Sequence, residues 1–313
     1  MPGFYVNHLK SSRARDFAGK IEKRLSSPTA DKNMKTVIRF PNCKAQDVEE
    51  VLSAGYAVLR DNPDFFYYHI SLEAKYDGSS VILFIPLLYT LEQISMLKQQ
   101  LDEKINSIIN QIPLTSSLWE KERYIFEYLQ LHTQYTKDGA RERYNIIGCL
   151  LEQKAVCEGV SKAFAVLCHR IGIPCIVVFS ETHMWNIVNI NGKLANVDAT
   201  YGTSTPHTIC DYTYFNICDA DLNTSIHKKE LDCIPICTDS SNSFFHRTNT
   251  YFANEKDLKN HVVLSLVLKR TPIQVKLSNG NITKAMKAVA LSAPCSFEYS
   301  YNEDVNTALI TLN

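Results

Sequence analysis

Hydrophobic and polar positions near the N-terminus follow the order strand, helix, hairpin. Residues 36–40 alternate as a β-strand does, and apolar residues at helical spacing follow from Asp47 onward. Residues 66–74 and 80–86 read as strands on either side of Asp77-Gly78, a turn dipeptide typical of β-hairpins. These residues predict a small α/β module.

The C-terminal residues repeat this order of elements. A helical stretch at 257–269 precedes a strand pattern at 273–277, a second helix at 281–291, and two strand patterns at 296–301 and 305–312. We therefore predict one small α/β module at each end of the chain. Their origin by duplication is a hypothesis, because the two sequences share negligible identity.

Two longer helices are predicted between the modules. Thr90 with Gln93, and Ser117 with Glu120, each have the spacing of a capping box, in which two side chains satisfy backbone N–H groups at a helix start. The first helix should end at Ile112, before a proline. The second leads into the part of the chain that carries candidate chemistry.

The most informative segment begins where a loop meets an apolar helix. Residues at helical spacing follow Cys157, and Gly172 is typical of a helix end. Cys157 should therefore lie in the first turn, where unpaired N–H groups and the helix dipole stabilise a thiolate. Cys168 and Cys175 instead fit buried, small hydrophobic side chains.

Two strand patterns follow, joined by Asn191-Gly192, which is a strong hairpin signal. A two-residue loop places Trp185 opposite Asp198, so that His183, Trp185, Asp198 and Thr200 project from one face. His183 and Asp198 become diagonal neighbours, about 7–8 Å apart at their backbones. An imidazole and a carboxylate can meet across that gap, whereas a register slip of one residue would separate them.

Three motifs in this segment resemble the transglutaminase-like superfamily, and especially its bacterial branch with a papain-type Cys-His-Asp triad. They are Lys154-Ala-Val-Cys157-Glu-Gly159, His183-Met-Trp185-Asn186 and Val197-Asp198-Ala-Thr200. Tyr214-Phe-Asn216 and Asp219 resemble a later part of the same bacterial proteins, so the similarity runs from about 117 to 240. Gln153 and Tyr201 stand where many relatives carry Gly and Trp.

The resemblance implies an α+β fold with a papain-like core, in which the helix that begins at Cys157 packs on an antiparallel sheet. It implies acyl transfer at an amide bond, with Cys157 as nucleophile, His183 as proton carrier and Asp198 orienting the imidazole. The backbone N–H of Cys157 is the expected oxyanion donor. The candidates for the substrate cleft are Glu158, Trp185, Asn186, Thr200 and Tyr201.

The acyl acceptor and even catalysis itself stay open at this point. Water would make the protein a peptidase or amidase, and an amine would make it a protein-glutamine amine transferase. We expect hydrolysis, because Trp185 offers one aromatic wall, or simply packs, while neither Tyr201 nor Trp119 clearly supplies a second. A non-catalytic binding module is the third alternative. A protein or peptide is the expected partner in each case.

No cofactor or metal is expected. The chain contains no twelve-residue Asp-rich loop ending in Glu, so we predict no calcium requirement. Cys233 and Cys237 could hold zinc with Cys210, Cys218 or His227, but a second closely spaced ligand pair is missing. The ten cysteines are expected to be thiols rather than disulfides.

Composition narrows the class of protein. A hydrophobic fraction of 45% and a charged fraction of 21% exclude a mainly disordered chain. Lys and Arg number 33 and Asp and Glu also number 33, and no basic motif is interleaved with aromatic residues, which argues against nucleic-acid binding. No apolar run is long enough for a membrane span and no signal peptide is visible, so we expect a cytoplasmic location, with export left open.

The predicted domains are a basic segment at 1–35, an α/β module at 36–112, a catalytic core at 113–240 and an α/β module at 241–313. The first segment holds eight Lys or Arg against three Asp or Glu. Phe17, Ile21 and Leu25 predict a basic amphipathic helix within it. We expect a solvated helix or a disordered leader, with an organelle address or a surface contact as the alternative.

Overall fold

The computed structural model describes residues 1, 3–204, 208–222 and 225–312. The chain forms two compact units, each assembled from two stretches of sequence. Unit 1 contains residues 1–117 and 135–177, and unit 2 contains residues 118–134 and 178–313. The predicted catalytic core at 113–240 contributes residues to both units.

The secondary structure is a mixture of helices and mainly antiparallel sheets, which confirms the α+β class. The helices are α1 (Phe4–Asn7), α2 (Ser12–Leu25), α3 (Asp47–Asp61), α4 (Leu91–Ile109), α5 (Leu118–His132), α6 (Ile146–Leu150), α7 (Cys157–Arg170), α8 (Phe244–Arg247), α9 (Glu255–Val267) and α10 (Ile282–Ser292). The strands are β1 (Lys35–Pro41), β2 (Glu73–Tyr76), β3 (Ser80–Pro86), β4 (Gln134–Tyr135), β5 (Lys154–Ala155), β6 (Cys175–Phe179), β7 (Met184–Ile190), β8 (Lys193–Val197), β9 (Phe215–Ile217), β10 (Tyr251–Phe252), β11 (Ile273–Leu277), β12 (Phe297–Asn302) and β13 (Thr307–Leu312).

The N-terminal part of unit 1 contains the predicted strand, helix and hairpin. Its sheet has the strand order β1-β3-β2, and both pairings are antiparallel. The hairpin turns at Asp77-Gly78, where Gly78 adopts a φ of 101° that favours glycine. The predicted strand at 66–74 is wrong over 66–72, because β2 begins only at Glu73. Phe66 and Tyr67 instead form a buried turn, and Tyr68 makes an isolated bridge to Leu87.

The basic N-terminal segment is part of unit 1. Helix α2 is amphipathic as predicted, and it buries Phe17, Ile21 and Leu25 and contacts α3. The Tyr67 hydroxyl donates to the Leu25 carbonyl over 3.1 Å. The expectation of a solvated helix or a disordered leader is therefore wrong for α2, because its apolar face packs while its charges point outward.

The C-terminal module in unit 2 contains the same three-strand arrangement as the N-terminal one, with β10 added parallel to β11 at one edge. Its sheet order is β10-β11-β13-β12, and β11 and β12 both pair antiparallel with β13, just as β1 and β2 pair with β3. Helices α9 and α10 cover this sheet with an apolar core that includes Val262, Met286 and Ile310. The predicted order of elements is confirmed at both ends of the chain.

Helix α5 in unit 2 buries a carboxylic acid. Glu122 is 0% exposed, and its Oε2 accepts a hydrogen bond from Nδ2 of Asn216 over 2.7 Å. Oε1 of Glu122 and Oδ1 of Asn216 have no hydrogen-bond partner among the described residues. Burial raises the pKa of Glu122 to about 8, against the smaller, opposite effect of the Asn216 hydrogen bond.

We predict that Glu122 is protonated at neutral pH. Its O–H then donates to Oδ1 of Asn216, while its other oxygen accepts from Nδ2 of Asn216. The unfolded chain loses this proton near pH 4.5, whereas the folded protein keeps it up to about pH 8. The free energy of unfolding should therefore fall as pH rises through this window. Glu122→Gln, which keeps both hydrogen bonds without a proton to lose, should raise it by about 1–3 kcal/mol at neutral pH.

Urea unfolding at several pH values measures this effect. Glu120→Gln is the matched control, because Glu120 lies on the same helix and is exposed. A pH dependence of unfolding that is the same in Glu122→Gln and in the unmodified protein would contradict a protonated Glu122.

Candidate active site

Cys157 is the first residue of α7 in unit 1, as predicted. The helix follows Val156, which has extended backbone angles, and ends before Gly172, whose φ is 78°. Cys157 is half-buried, whereas Cys168 on the same helix is fully buried. The helix supplies no acceptor for the N–H groups of its first turn, and its dipole favours negative charge at this position.

The start of α7 is held by close backbone packing within unit 1. The N–H of Val156 donates to the Arg143 carbonyl over 3.0 Å. A Cβ on Gly159 would lie 2.5 Å from the same carbonyl oxygen, so only glycine allows this approach. Glu158 forms an ion pair of 2.6 Å with Lys162, one helical turn later. The Cys-Glu-Gly motif thus has a structural role in placing the thiol, and Glu158 is occupied on the helix surface.

The hairpin of unit 2 has the predicted register. Ile190 pairs with Lys193 across Asn191-Gly192, and the pairing continues to Asn186 opposite Val197. Asp198 directly follows Val197, and His183 directly precedes β7; their side chains meet. Because side chains alternate along a strand, Asn186 projects from the opposite face, where it is buried.

Asp198 is the centre of a buried cluster in unit 2. Its Oδ2 accepts hydrogen bonds from Nε2 of His183 over 2.8 Å and from Nε2 of His227 over 3.1 Å. Its Oδ1 accepts the backbone N–H of Thr200 over 2.9 Å. The backbone N–H of Asp198 donates to the Tyr214 carbonyl. The structure thus brings together the predicted residues His183, Asp198 and Thr200.

The electrostatics of this cluster favour a charged carboxylate. Burial by itself raises the pKa of Asp198, since only 3% of its side chain is exposed. The hydrogen bonds and charges of His183 and His227 outweigh burial, and the pKa of Asp198 lies well below its usual range. An ionised Asp198 accepts the Nε2 proton of His183, which leaves Nδ1 as the nitrogen for proton exchange.

Trp185 lies beneath His183 rather than on a cleft wall. It is 0% exposed, and its ring is parallel to that of His183, with 6.3 Å between centroids. Its indole N–H donates to Oδ1 of Asn196 over 3.1 Å, and Asn196 in turn donates to Asp219 over 2.8 Å. This burial favours the packing alternative for Trp185. It also gives Asp219 a role in holding the indole.

Tyr201 is partly exposed beside the cluster. Its hydroxyl accepts a hydrogen bond from Nδ2 of Asn302 over 2.8 Å, and its ring packs edge-on against Tyr214. Trp119 lies at the start of α5, with its N–H on the Asn242 carbonyl, and packs against Phe215. Tyr201 therefore stays a candidate for substrate contact, while Trp119 is a packing residue.

His227 is the site residue that sequence reasoning missed. The sequence suggests it only as a zinc ligand, because it follows Asp198 by 29 residues through a segment without hydrophobic periodicity. In the part of the chain that the structure describes, the group of His, Cys, Asp or Glu atoms close enough to hold a metal is His183, Asp198 and His227. It contains no cysteine. No disulfide joins any of the ten cysteines, all of which are described.

Comparison with known proteins supports the resemblance that the motifs carry. Residues 106–202 match the family model of the transglutaminase-like superfamily, and this range includes Cys157, His183 and Asp198. These residues are therefore similar to the transglutaminase-like superfamily. The bacterial branch and the similarity beyond residue 202 stay predictions. No curated protein matches the chain.

Three solved structures are similar to the chain at low identity. One is described as a crystal structure of a TGase. It is 14% identical, the match covers 61% of this chain and 58% of that one, and the TM-score is 0.31. A protein from Cytophaga hutchinsonii, described as a candidate cysteine protease, is 12% identical; the match covers 53% of this chain and 64% of that one, and the TM-score is 0.27. A structure of menin, described as revealing its binding site for the Mixed Lineage Leukemia protein, is 14% identical; the match covers 66% of this chain and 53% of that one, and the TM-score is 0.28. The chain spans less than two thirds of each of these proteins.

Across the described residues, no helix combines the length and the apolar character needed to cross a membrane.

We predict that Asp198→Asn destabilises the protein, because an amide cannot replace this carboxylate. One oxygen can still accept the N–H of Thr200, but the amide NH₂ then faces the ring N–H groups of His183 and His227. The free energy of unfolding should fall by about 1–3 kcal/mol, the cost of unpaired buried donors. Urea unfolding measures it, with the exposed Asp232→Asn as control. Equal stability of Asp198→Asn and the unmodified protein would contradict the described network.

Proposed function

We propose that this protein is a cysteine-dependent hydrolase of amide bonds in proteins or peptides, with Cys157, His183 and Asp198 as its triad. The observation that supports this best is the buried His183–Asp198 pair at 2.8 Å, formed by the hairpin that the motifs predict. The family match across all three residues adds support. The position of Cys157 at the first turn of α7 suits a nucleophilic thiolate.

In the first half of the reaction, the Cys157 thiolate attacks the carbonyl carbon of the amide and a C–S bond forms. The backbone N–H of Cys157 donates to the developing oxyanion. The C–N bond then breaks, and the leaving amine takes a proton from Nδ1 of His183. Asp198 keeps the Nε2 proton in place and stabilises the imidazolium that precedes this transfer.

In the second half, an acceptor resolves the thioester. Water gives a proton to Nδ1 of His183 as its oxygen attacks the acyl carbon. The C–S bond breaks, the carboxylic acid leaves, and the Cys157 thiolate and the His183 imidazolium are restored. An amine acceptor would follow the same steps and produce a new amide.

Hydrolysis is favoured by the burial of the aromatic residues in unit 2. Transfer to an amine requires that the thioester be shielded from water, usually by aromatic side chains. Trp185 is 0% exposed and stacks on His183, so it offers no face to an acyl group. Tyr201 is the exposed aromatic residue next to the cluster, and its hydroxyl is held by Asn302. One partly exposed tyrosine is a weak shield.

We predict that Cys157 reacts with iodoacetamide faster than the other cysteines at mildly acidic pH, because a thiolate paired with an imidazolium persists where ordinary thiols are protonated. Burial raises the pKa of Cys210 and of Cys237 to about 12, so these thiols stay unreactive. Peptide mapping by mass spectrometry measures the rate at each cysteine. Exposed Cys295 is the reference for an accessible thiol, and buried Cys168 for an inaccessible one.

Cys157→Ala should abolish turnover and leave the melting temperature nearly unchanged, because a half-buried residue at a helix start contributes little packing. If Cys157 reacted no faster than Cys295 or Cys168, the nucleophile assignment would be wrong. A protein with an inert Cys157 that still bound a peptide would fit the binding-module alternative.

We predict that water outcompetes amines as the acyl acceptor. The test offers a glutamine-containing peptide library together with a fluorescent primary amine, and mass spectrometry compares released acid with incorporated amine. Cys157→Ala is the control for non-enzymatic reaction. Acid in excess of amide supports hydrolysis, whereas amine incorporation well above acid release would show a transferase.

A further inference from the structure

We propose that His227 is a positioning residue that shares the Asp198 carboxylate with His183 and thereby limits how strongly Asp198 stabilises the His183 imidazolium. This inference rests on the proposed function, in which His183 carries the proton. It concerns a residue outside the family match, which ends at residue 202.

The first observation is that one carboxylate oxygen serves two imidazoles. Oδ2 of Asp198 lies 2.8 Å from Nε2 of His183 and 3.1 Å from Nε2 of His227. The other oxygen, Oδ1, already accepts the N–H of Thr200. The charge of Asp198 is therefore divided between two ring N–H donors at one atom. Each donor weakens the field that the other receives.

The second observation is that His227 cannot turn away from Asp198. Its side chain is 1% exposed. Its ring centroid lies 5.1 Å from that of Trp185, 4.9 Å from Tyr214 and 5.3 Å from His183. In the described part of the chain, titratable groups that contact it include Asp198, His183 and Tyr214. A buried imidazole packed among rings needs a polar partner, and Asp198 supplies one with a negative charge.

The same three residues do not form a preorganised metal site. Both ring nitrogens direct their N–H groups at one oxygen, over 2.8 and 3.1 Å. A zinc ion would need an unprotonated Nε2 on both rings, whereas each Nε2 lies at hydrogen-bond distance from the carboxylate oxygen. The hydrogen-bonded arrangement therefore describes the cluster better than a ligand set does.

Loss of the second donor has a defined consequence. Without the N–H of His227, Oδ2 of Asp198 serves only His183 among the described ring donors, and the imidazolium becomes more stable. The thiolate–imidazolium pair should then persist to higher pH. His183 should also become a weaker acid toward the leaving amine, so turnover should fall even though the thiolate forms readily.

The test compares pH profiles of iodoacetamide alkylation at Cys157 in three proteins. His227→Phe keeps an aromatic ring but has no N–H donor. In this variant the alkaline limb of the alkylation profile, where His183 loses its proton and the rate changes, should move to higher pH by about 0.5 unit or more. His227→Gln, whose amide N–H takes the place of Nε2–H, should restore the limb toward its original position. The exposed His246→Phe is the control for loss of a histidine elsewhere in unit 2.

A second measurement keeps the inference testable if His227→Phe does not fold. The protein is labelled with ¹⁵N-histidine and kept in the presence of chelator. Long-range nitrogen–proton correlation spectra then report which ring nitrogen of His227 carries a proton. The signal of His227 is assigned by its absence in His227→Gln. Nε2 should be protonated. An unprotonated Nε2, or a His227→Phe profile that coincides with the original or moves to lower pH, would overturn the proposal. A Cys157 that is inert in the unmodified protein would overturn the proposed function instead, whatever the spectrum shows.

Discussion

The buried negative charge of Asp198 is the constraint on which the rest of the candidate site depends. A carboxylate that is 3% exposed is stable only when hydrogen-bond donors surround it. Three parts of unit 2 supply them: the loop between β6 and β7 through His183, the turn after the hairpin through Thr200, and the distant segment through His227. The hydrogen bonds to this one carboxylate thus orient three separate segments of unit 2.

The network extends from this charge into the sheet. Trp185 stacks on His183 and is held through Asn196 to Asp219, which also pairs with Lys229. The indole therefore supports the imidazole from below and gives up any exposed face. The same arrangement that packs Trp185 against His183 also leaves little aromatic shielding for an acyl group, which is the basis of the proposed hydrolysis.

The local sequence pattern predicted the hairpin, but it did not predict the residues that pack around it. Asn191-Gly192 leaves a two-residue loop, and this determines the register and the meeting of His183 with Asp198. His227 could not be predicted, because its contact depends on the path of a long irregular segment. The burial of Glu122 was equally hidden, since a glutamate in an amphipathic helix usually faces solvent. The two units also could not be predicted, because each is assembled from separate stretches of sequence.

The central claim is that Cys157 and His183 form a thiolate–imidazolium pair supported by Asp198. Ultraviolet titration of thiolate absorbance, taken as the difference between the unmodified protein and Cys157→Ser, tests it most directly. The account predicts a thiolate that forms well below the usual pH of about 8.5, and a return toward that value in His183→Ala. A thiolate that forms at the usual pH, or one whose midpoint His183→Ala leaves unchanged, would contradict it.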